Sequence, residues 1–418
     1  MTCFKVYLES YGCAHNESDA RIIKALLAKE GLGVAAAPDN ADYIFINTCG
    51  VKLISEQRML SRIKELAKHS AKLVVCGCLP KINESAIRRT APNAVLLDTD
   101  SLSKIPELLK NPRDFFSEGR ENKLLLAQPA HGITAVIGIG EGCTGKCAYC
   151  GARHARGALH SYPTKDVVSA VGSAVENGAR EVCLTSEDTG CYGLDIGSSL
   201  LELVNEITSL PGAFRVRIGM MNPNHAKRFL PKLISAYQSD KVYKFVHLPV
   251  QSGSDKVLSE MNRQYTVAEF EGMVSQLRKG VPGICISTDV IIGFPTETAE
   301  DFEQTLALLD RVKPDVTNVS RFGVRPGTPA AQMKQLSTEV IKERSVKASK
   351  LAREMALAAS QKLVGKEYTV IALAPGSKGG VVGRTPNYKQ LIFEGELGKE
   401  YKVKVVEAFS TYLAAEAI

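Results

Sequence analysis

The sequence predicts an α/β protein in three parts: an N-terminal α/β domain with a parallel sheet, a central partial or full β/α barrel, and a small C-terminal all-β barrel. Three observations predict this arrangement. Strand-like apolar runs alternate with amphipathic stretches over residues 1–112, and the alternation resumes with longer units over residues 132–361. Over residues 362–418 short strands are separated by glycine and lysine. The polar segment 113–131 lacks strong periodicity and is predicted to be a linker.

The N-terminal domain is predicted from four strand-like runs and two amphipathic stretches. The runs are KVYLES, YIFINTC, KLVVCGC and AVLLD, and the stretches SDARIIKALLAKEG and SEQRMLSRIKELAKH have apolar residues at helical spacing. Strands that alternate with helices in this way form mainly parallel sheets. A chain of 418 residues is too long for one ordinary core, so two or three domains are expected.

The central part repeats the alternation with six or so strands and with helices near 165–177 and 198–208. The strands are read in AVIGIGEGC, EVCLTSED, FRVRIGM, YKFVHLPVQ, ICISTDVIIGF and VTNVSRFG. Each ends in polar or glycine-rich turns, and the chemistry of a β/α barrel lies at the C-terminal ends of its strands. The runs YTVIALA, GGVVGRT, YKQLIFEG and EYKVKVVEAF then predict the small all-β barrel of the tail.

Composition limits the class of protein. The 44% hydrophobic and 23% charged residues are typical of a globular protein, no run of 18 apolar residues is present, and the N-terminus lacks the build of a signal peptide. We therefore expect a cytoplasmic protein with no membrane partner. In a reducing compartment the eleven cysteines are expected to be metal ligands, catalytic groups or buried apolar residues rather than disulfides. The net charge of +7 is compatible with a polyanionic partner.

Cys143, Cys147 and Cys150 have the spacing C-x3-C-x2-C and no fourth cysteine nearby. Three close thiolates suit an iron–sulfur cluster in which each cysteine holds one iron. Structural zinc is the main alternative, because His154 could complete a Cys3His site, and three core cysteines at chance spacing are a third interpretation. The missing ligand favours a 4Fe-4S cluster with one open iron, which can chelate S-adenosylmethionine and reduce it.

Three further cysteines follow three predicted strands of the N-terminal domain: Cys13 in ESYGC, Cys49 in INTCG and Cys78 in VVCGC. Carboxyl ends of neighbouring parallel strands meet at one edge of a sheet, so these cysteines are expected to lie together. Three ordinary buried cysteines are the alternative. Cys76 is two residues before Cys78 and on the same side of the strand. Cys78 is preferred as a ligand because it lies beyond the strand end.

These residues carry a family resemblance. The C-x3-C-x2-C spacing with Tyr149 before the last cysteine resembles the radical S-adenosylmethionine superfamily. Two three-cysteine clusters, one in each domain, resemble the methylthiotransferase family, and the resemblance extends over nearly the whole length. It includes LTSEDTGCYGLDIG, HLPVQSGSDKVLSEMNRQYT, DVIIGFPTETAEDF and RPGTPAAQM, and the tail GRTPNYKQLIFEGELGKEYKVKV resembles the TRAM RNA-binding module. The segments SEDTGCYG and GCTGK are most similar to the archaeal and eukaryotic branch of the methylthiotransferase family.

The resemblance implies an activity and its cofactors. Members of that branch put a methylthio group on threonylcarbamoyladenosine beside the tRNA anticodon, with two 4Fe-4S clusters and S-adenosylmethionine. The cluster at Cys13, Cys49 and Cys78 would carry a sulfur that takes a methyl group from one S-adenosylmethionine. The catalytic cluster at Cys143, Cys147 and Cys150 would cleave a second molecule, and the radical would remove hydrogen from carbon 2 of the adenine. The implied partners are the anticodon loop of tRNA, an electron donor and a sulfur donor.

The resemblance also suggests residues that bind S-adenosylmethionine. Ser186 and Glu187 follow the strand EVCLT, where the superfamily commonly holds the methionyl amino group, although a solvated loop pair is the alternative. Arg217 could contact ribose or carboxylate or be a salt-bridge partner on its strand. Gln251 and Ser252 form a polar turn after HLPV that could touch S-adenosylmethionine or the base. His247 is expected to be a core histidine, and the four remaining cysteines are expected to be structural: Cys3, Cys183, Cys191 and Cys285.

RNA contact is expected in the tail and beside the radical triad. Cations interleave with an aromatic residue in the tail, which suits phosphate contact and base stacking, although a charged surface hairpin is the plain alternative. The tail residues are Lys378, Arg384, Tyr388 and Lys389. Arg153 and Arg156 are expected to face the anticodon loop. Gly151 stands where the family has an isoleucine-like residue, which leaves the ligands intact but is expected to loosen packing beside the cluster.

Two other functions share part of this pattern. A ribosomal-protein methylthiotransferase would have the same two clusters, and the basic tail favours RNA over it. A non-catalytic RNA-binding protein stapled by zinc belongs to a different class and would bind no iron.

Overall fold

The computed structural model describes residues 4–127 and 132–418. Its elements fall into three groups along the chain: an α/β unit, a curled half-barrel of parallel strands and an all-β unit. Among the described residues, no helix has both the length and the apolar composition needed to traverse a bilayer. The domain limits expected at residues 112, 131 and 361 stay a prediction. Cys3 and the last part of the predicted linker, 128–131, lie outside the described residues.

The N-terminal unit is a five-stranded parallel sheet in the order β2-β1-β3-β4-β5. Helices lie on both faces, and every residue of β3 is buried, as expected for a central parallel strand. The strands are β1 Lys5–Ser10, β2 Gly33–Val34, β3 Tyr43–Thr48, β4 Lys72–Gly77 and β5 Val95–Leu96. The helices are α1 Ala14–Lys29, α2 Leu53–Leu66, α3 Leu79–Thr90 and α4 Ile105–Lys110.

Two apolar cores hold this sheet between its helices. Side chains alternate across a strand, so Phe45 joins the core under α1 while its neighbours Ile44 and Ile46 join the core under α2. Cys76 belongs to the first of these cores and is fully buried. Its thiol lies 3.4 Å from the carbonyl oxygen of Ile46, to which it donates a weak hydrogen bond. Cys76 is thus placed as a small apolar core residue.

The half-barrel has six parallel strands in two hydrogen-bonded groups of three, β10-β9-β6 and β11-β12-β13. A bridge between Val216 in β10 and Val242, just before β11, joins the groups. The six strands are β6 Thr134–Gly138, β9 Glu181–Thr185, β10 Arg215–Arg217, β11 Phe245–His247, β12 Cys285–Ile292 and β13 Val316–Arg321. Two short strands, β7 Gly140–Glu141 and β8 His160–Ser161, pair with each other and belong to neither group. The sequence predicted a partial or full barrel, and the partial form is observed.

The longer helices of this unit pack on the outside of the strands around one large apolar core. The helices of the unit are α5 Ala152–Arg156, α6 Thr164–Glu176, α7 Leu200–Ser209, α8 Pro223–Ala226, α9 Leu230–Ala236, α10 Asp255–Glu260, α11 Val267–Gly280, α12 Ala299–Val312 and α13 Thr338–Gln361. The short helix α5 packs instead against α3 of the N-terminal unit. Along the whole described chain, short 3-10 turns lie at Pro38–Asn40, Leu102–Lys104 and Lys123–Leu125 before the half-barrel, and at Thr189–Cys191 and Pro329–Gln332 within it. Thr266 and Thr298 begin α11 and α12 with capping boxes, so sequence signals set these helix starts.

The C-terminal unit is a six-stranded sheet in the order β14-β18-β19-β17-β16-β15, with its own apolar core. Its pairs are antiparallel except for β17 with β19. The strands are β14 Glu367–Ile371, β15 Ala374–Pro375, β16 Val381–Arg384, β17 Gln390–Phe393, β18 Glu400–Ala408 and β19 Leu413–Ala417. The small all-β unit predicted for the tail is confirmed.

The segment predicted to be a linker is anchored at several points. Phe115 is buried in the core of the N-terminal unit. Lys123 is only 2% exposed, and its ammonium forms ion pairs with Asp19 at 2.7 Å and with Glu141 at 2.6 Å. The described part of this segment therefore packs between the N-terminal unit and the half-barrel and is not a free spacer.

Candidate active site

Cys13, Cys49 and Cys78 lie just past the carboxyl ends of β1, β3 and β4, which are adjacent in the sheet. The loops approach closely, because a Cβ atom added to Gly12 would lie 3.0 Å from the Cβ atom of Cys49. Gly77 turns the chain before Cys78 with φ +86°, where any side chain would collide with Thr48. The parallel sheet thus brings together three cysteines that are distant in sequence.

Asn16, in the first turn of α1, ties these three loops to one another. Its side-chain amide donates to the carbonyl oxygens of Tyr11 and Thr48, each at 2.8 Å, just before Cys13 and Cys49. Its side-chain oxygen lies 3.5 Å from the sulfur of Cys78. Asn16 is only 1% exposed, so these hydrogen bonds are shielded from water.

The second triad lies in the loop between β7 and α5. Gly142 has φ +69°, and a Cβ atom there would meet the carbonyl oxygen of Ala158 at 2.1 Å. The Gly145 amide donates to the sulfur of Cys143 at 3.1 Å. A Cβ atom at Gly145 would lie 3.2 Å from that sulfur and 3.7 Å from the sulfur of Cys147. Gly145 thus lets the backbone wrap closely around two thiols, and Gly142 lets the loop pass close to the backbone of Ala158; a side chain at either position would fill this space.

Gly151 follows this triad and is packed rather than loose. A Cβ atom there would lie 3.0 Å from Cδ and 3.3 Å from Cγ of Arg325, whose buried side chain fills the space. The Arg325 guanidinium donates to the carbonyl oxygen of Gly50 at 2.9 Å and forms an ion pair with Glu56. The expectation that Gly151 loosens the packing is therefore wrong, because an arginine reaching toward the N-terminal unit occupies that volume.

Both triads open into one cavity of about 630 Å³ between the N-terminal unit and the half-barrel. All six cysteines line it, together with Ser186, Glu187, Arg217 and Gln251 from the strand ends of the half-barrel. Chemistry at the carboxyl ends of the strands is what the sequence predicted for a β/α barrel. Two cysteine triads from different domains therefore face the same space.

Four buried polar atoms of residues that line the cavity have no hydrogen-bond partner among the described residues: Arg156 Nε, Ser186 Oγ, Arg217 Nε and Gln251 Oε1. Gln251 also has φ +71°, an uncommon conformation for a residue with a side chain, which tends to occur at functional sites. Buried polar groups are normally paired, so these atoms fit a polar ligand that completes them. The donors and acceptors of S-adenosylmethionine meet that requirement.

Glu187 and Ser252 were also predicted to bind S-adenosylmethionine, but their side chains already have partners within the protein. Both carboxylate oxygens of Glu187 have partners, since Oε1 lies 2.8 Å from His15 Nδ1 and Oε2 accepts the Gly142 N–H at 2.8 Å. Ser252 is fully buried beside the cavity, where its Oγ lies 3.4 Å from Thr305 Oγ1. The placement of Ser252 does not support direct contact with a ligand.

Two of the six thiols, one from each triad, fit metal ligation better than nucleophilic catalysis. Burial raises the pKa of Cys78 to about 12 and that of Cys150 to about 11, so neither free thiol is a thiolate near neutral pH. Binding to iron removes the thiol proton. A single zinc ion held by Cys143, Cys147, Cys150 and His154 is poorly matched. The His154 ring packs against Gly327. Among the described residues, the groups whose ligand atoms all lie within 4.8 Å of one another are Cys143–Asp188–Cys191 and His15–Asp19–Glu141, and neither is this set.

Comparison with known proteins decides the family. Residues 5–98 match the model of Uncharacterized protein family UPF0004, residues 137–309 match the Radical SAM superfamily, and residues 361–418 match the TRAM domain. The chain is 40% identical to a probable threonylcarbamoyladenosine tRNA methylthiotransferase of Pyrococcus horikoshii, covering 99% of each chain. It is 34% identical to the threonylcarbamoyladenosine tRNA methylthiotransferase of Drosophila pseudoobscura pseudoobscura, covering 99% of this chain and 77% of the relative.

The chain belongs to the threonylcarbamoyladenosine tRNA methylthiotransferase family. It is thus a radical S-adenosylmethionine methylthiotransferase, whose cofactors are two 4Fe-4S clusters and S-adenosylmethionine. Solved structures agree in fold. The radical S-adenosylmethionine methyltransferase TsrM from Kitasatospora setae matches with TM-score 0.57 and 15% identity, covering 79% of this chain and 77% of its own. The cobalamin-dependent radical enzyme OxsB matches with TM-score 0.54 and 11% identity, covering 84% and 56%.

In this methylthiotransferase the TRAM unit docks on the half-barrel through Tyr388 and Lys389. The Tyr388 ring lies 4.9 Å from that of Tyr243 and 5.2 Å from that of Phe245, measured between centroids. Lys389 is 7% exposed and its ammonium donates to the carbonyl oxygen of Asp315. These contacts lie at the amino ends of the barrel strands, opposite the cysteines. Because Lys389 is buried and the Tyr388 ring packs against the half-barrel, their placement does not support their predicted contact with RNA. Lys378 is exposed, and Arg384, like Tyr388, is half-buried.

Replacing Tyr388 by alanine is expected to loosen the TRAM unit from the half-barrel. The ring is also contacted by the guanidinium groups of Arg217 and Arg384, so its loss removes a buried aromatic cluster and lowers the free energy of unfolding by about 3 kcal/mol. Thermal unfolding and limited proteolysis near residue 361 measure this. Tyr412→Ala is the matched control, since that ring stacks on Phe409 within the TRAM unit. Equal effects of both variants would contradict the docking role.

Arg263 shapes the site but was not among the site residues predicted from the sequence. Arg263, in the quoted run MNRQYT, is 9% exposed and donates to the sulfur of Cys147 at 3.2 Å and to the carbonyl oxygen of Pro249 at 3.1 Å. Arg156 was expected to face the anticodon loop, but it is 1% exposed and ion-paired with Asp19 and Glu141. For Arg156 the available signal was its position a few residues after the radical triad, although only the fold gives its direction. Arg263 lies far from the cluster cysteines in the sequence, and only the fold brings it to Cys147.

Proposed function

We propose that the chain adds a methylthio group to carbon 2 of threonylcarbamoyladenosine beside the anticodon of tRNA. The observation that carries this proposal is the single cavity of about 630 Å³ onto which both cysteine triads open. A transfer that needs two cluster sites requires them to face one substrate. The names of the relatives from Pyrococcus horikoshii and Drosophila pseudoobscura pseudoobscura support the choice of substrate.

In this proposal each triad holds one cluster and leaves one iron open for another ligand. Cys143, Cys147 and Cys150 hold the catalytic cluster, and Cys13, Cys49 and Cys78 hold the second. When bound, a 4Fe-4S cluster with an open iron supplies the electron that cleaves S-adenosylmethionine and so activates an inert C–H bond. The chain itself supplies ligands, orientation and a cavity that keeps the reacting groups away from bulk water.

Polar groups at the strand ends are proposed to orient S-adenosylmethionine in this cavity. The unpartnered atoms Ser186 Oγ, Arg217 Nε and Gln251 Oε1 are the groups offered for hydrogen bonds. Glu187 adds negative charge at the same wall, which favours the methionyl ammonium, although its oxygens are shared with His15 and Gly142.

The proposed partner is the anticodon loop of a tRNA, whose target base must leave its stack to enter the cavity. Lys378 and Arg384 are proposed to contact phosphates of the same tRNA. A crevice of about 210 Å³ between the TRAM unit and the half-barrel is lined by four cations and two acids, namely Arg180, Arg215, Lys241, Arg384, Asp240 and Glu400. It lies at the amino ends of the barrel strands, opposite the cysteines, so phosphates held there would belong to a part of the tRNA outside the anticodon loop. An electron donor and a sulfur donor complete the proposed partners, and the cytoplasm is the proposed location.

Replacing Cys143, Cys147 and Cys150 together by alanine tests the catalytic assignment. After anaerobic reconstitution with iron and sulfide, the wild type is expected to hold about eight irons per chain and the variant about four. Formation of 5′-deoxyadenosine is expected to stop in the variant, since the radical site no longer holds the cluster that binds and reduces S-adenosylmethionine. Iron assay and chromatography measure both, and mass spectrometry of tRNA containing threonylcarbamoyladenosine measures the methylthio product.

The outcomes separate the competing functions. Four irons in the wild type would leave the N-terminal triad structural and remove the two-cluster reaction. Zinc in place of iron would indicate a non-catalytic RNA-binding protein. Eight irons without any product on that tRNA would refute the proposed substrate and make a ribosomal protein the next one to test.

A further inference from the structure

The helix α1 presents a buried polar face to the half-barrel. His15, Asn16 and Asp19 lie on this face, and each is at most 2% exposed. The helix begins one residue after Cys13, so the face is rigidly connected to the N-terminal triad. The residues that this face contacts lie just before and just after the radical triad in the sequence.

Glu141 and Arg156 are those partners. Glu141 is two residues before Cys143, and Arg156 ends the short helix α5 that follows Cys150. They pair with each other at 2.9 Å, both are at most 1% exposed, and they close the base of the loop that carries the radical triad. Arg156 also forms an ion pair with Asp19 at 2.6 Å, which joins that base to α1.

One further hydrogen bond connects the two triads more directly. Arg156 Nη2 donates to the side-chain oxygen of Asn16 at 2.9 Å. That same oxygen lies 3.5 Å from the sulfur of Cys78, and the amide of Asn16 holds the loops of Cys13 and Cys49. A path of two side chains therefore runs from the helix after the radical triad to all three loops of the other triad.

We propose that Arg156 is a positioning residue that, through Asn16, fixes the N-terminal cluster site relative to the radical site. This inference rests on the proposed function, in which the group held at one site must reach the carbon activated at the other. Displacement of a reacting group by about 1 Å can cost about a hundredfold in rate, so the fixed separation matters for transfer. The three cysteines of the radical site all lie in the half-barrel, and a lysine at position 156 keeps the positive charge near Glu141 and Glu187, so radical formation is expected to depend on this separation less than transfer does.

Arginine is suited to this role because its planar fork can serve Glu141, Asp19 and Asn16 at once. Lysine keeps the positive charge beside the two carboxylates but cannot make the divergent contacts. Arg156→Lys therefore weakens the connection to Asn16 without leaving the acids unpaired. Asn16→Ser removes the same contact from the N-terminal side and leaves Arg156 paired with both carboxylates.

Arg21→Lys is the matched control. Arg21 lies on α1 as well and also reaches the half-barrel, where it donates to the carbonyl oxygen of Thr134 at 2.7 Å. It contacts neither cysteine triad within the described residues. A loss of interdomain hydrogen bonding in general would affect this variant and the Arg156 variant alike.

The test uses anaerobically reconstituted full-length protein. Arg156→Lys is expected to keep about eight irons and its 5′-deoxyadenosine formation, while methylthio product per 5′-deoxyadenosine falls about tenfold or more. The magnetic interaction between the two reduced clusters, measured by EPR, is expected to change, and in Arg21→Lys both quantities stay as in the wild type. Asn16→Ser is expected to lower the product ratio at least as far, because it also removes the hydrogen bonds to Tyr11 and Thr48. Adding Arg156→Lys to Asn16→Ser is expected to lower the ratio no further, because the contact between the two side chains is already lost.

Other outcomes overturn the inference. Product and 5′-deoxyadenosine falling in parallel would make Arg156 a general structural residue, and so would loss of iron from both sites in both variants. Reductions that multiply in the double variant would show two independent effects. A wild type that makes no product refutes the proposed function instead, and an unchanged EPR interaction in Arg156→Lys then still refutes the positioning role.

Discussion

Replacing Cys13, Cys49 and Cys78 together by alanine is expected to abolish methylthio transfer while S-adenosylmethionine cleavage continues. The three thiols lie on loops of the N-terminal sheet, whereas the radical triad is held by its own loop in the half-barrel, so removing one set leaves the other intact. About four irons per chain are expected to remain. Iron content, 5′-deoxyadenosine and methylthio product, measured on the same preparation, give the three values.

Cys76→Ala is the matched control for this triple variant. Cys76 lies on β4 only two residues before Cys78, but it is buried in the core and does not line the cavity in the part of the chain described here. It is expected to lose some stability and to keep about eight irons and full transfer. Transfer that survives the triple substitution, or iron lost in Cys76→Ala, would reassign the N-terminal ligands.

The cysteine sites could be predicted because they follow from local pattern and one topological rule. Alternating strands and helices indicate a parallel sheet, and cysteines after successive strands of such a sheet must lie at one edge. The choice of Cys78 over Cys76 used only the strand end, and in the structure Cys78 lines the cavity. The helix read at 165–177 is observed at Thr164–Glu176 for a similar reason, since its apolar spacing is local.

The contacts between domains could not be predicted in the same way. A polar face such as that of α1 reads as solvated in a sequence, and only docking against Glu141 and Arg156 makes it a buried network. Tyr388 is a similar case, because an aromatic residue among cations suits either RNA stacking or burial at a domain interface. Looser packing was predicted at Gly151 because glycine has no side chain. The space is filled by the side chain of Arg325, which is far away in the sequence.

The segment predicted to be a linker gives the second large expected effect. Lys123→Met is expected to destabilise the junction between the N-terminal unit and the half-barrel by about 3 kcal/mol, because it leaves Asp19 and Glu141 with one cation fewer in a buried site. Burial alone would lower the pKa of Lys123, but Asp19 and Glu141 raise it above its ordinary value, so the charge is retained inside the protein. Methionine has a similar length and no charge.

The midpoint of urea unfolding, followed by circular dichroism of the reconstituted protein, measures this effect. Lys110→Met is the control, since Lys110 is exposed at the end of α4 and the same substitution there removes only a solvated charge. Arg156 remains beside both carboxylates in Lys123→Met, so the protein is expected to fold with a lower midpoint rather than to lose its structure. Equal midpoints in the two variants would mean that Arg156 and His15 neutralise Asp19 and Glu141 without Lys123, and that residues 113–127 act as a spacer after all.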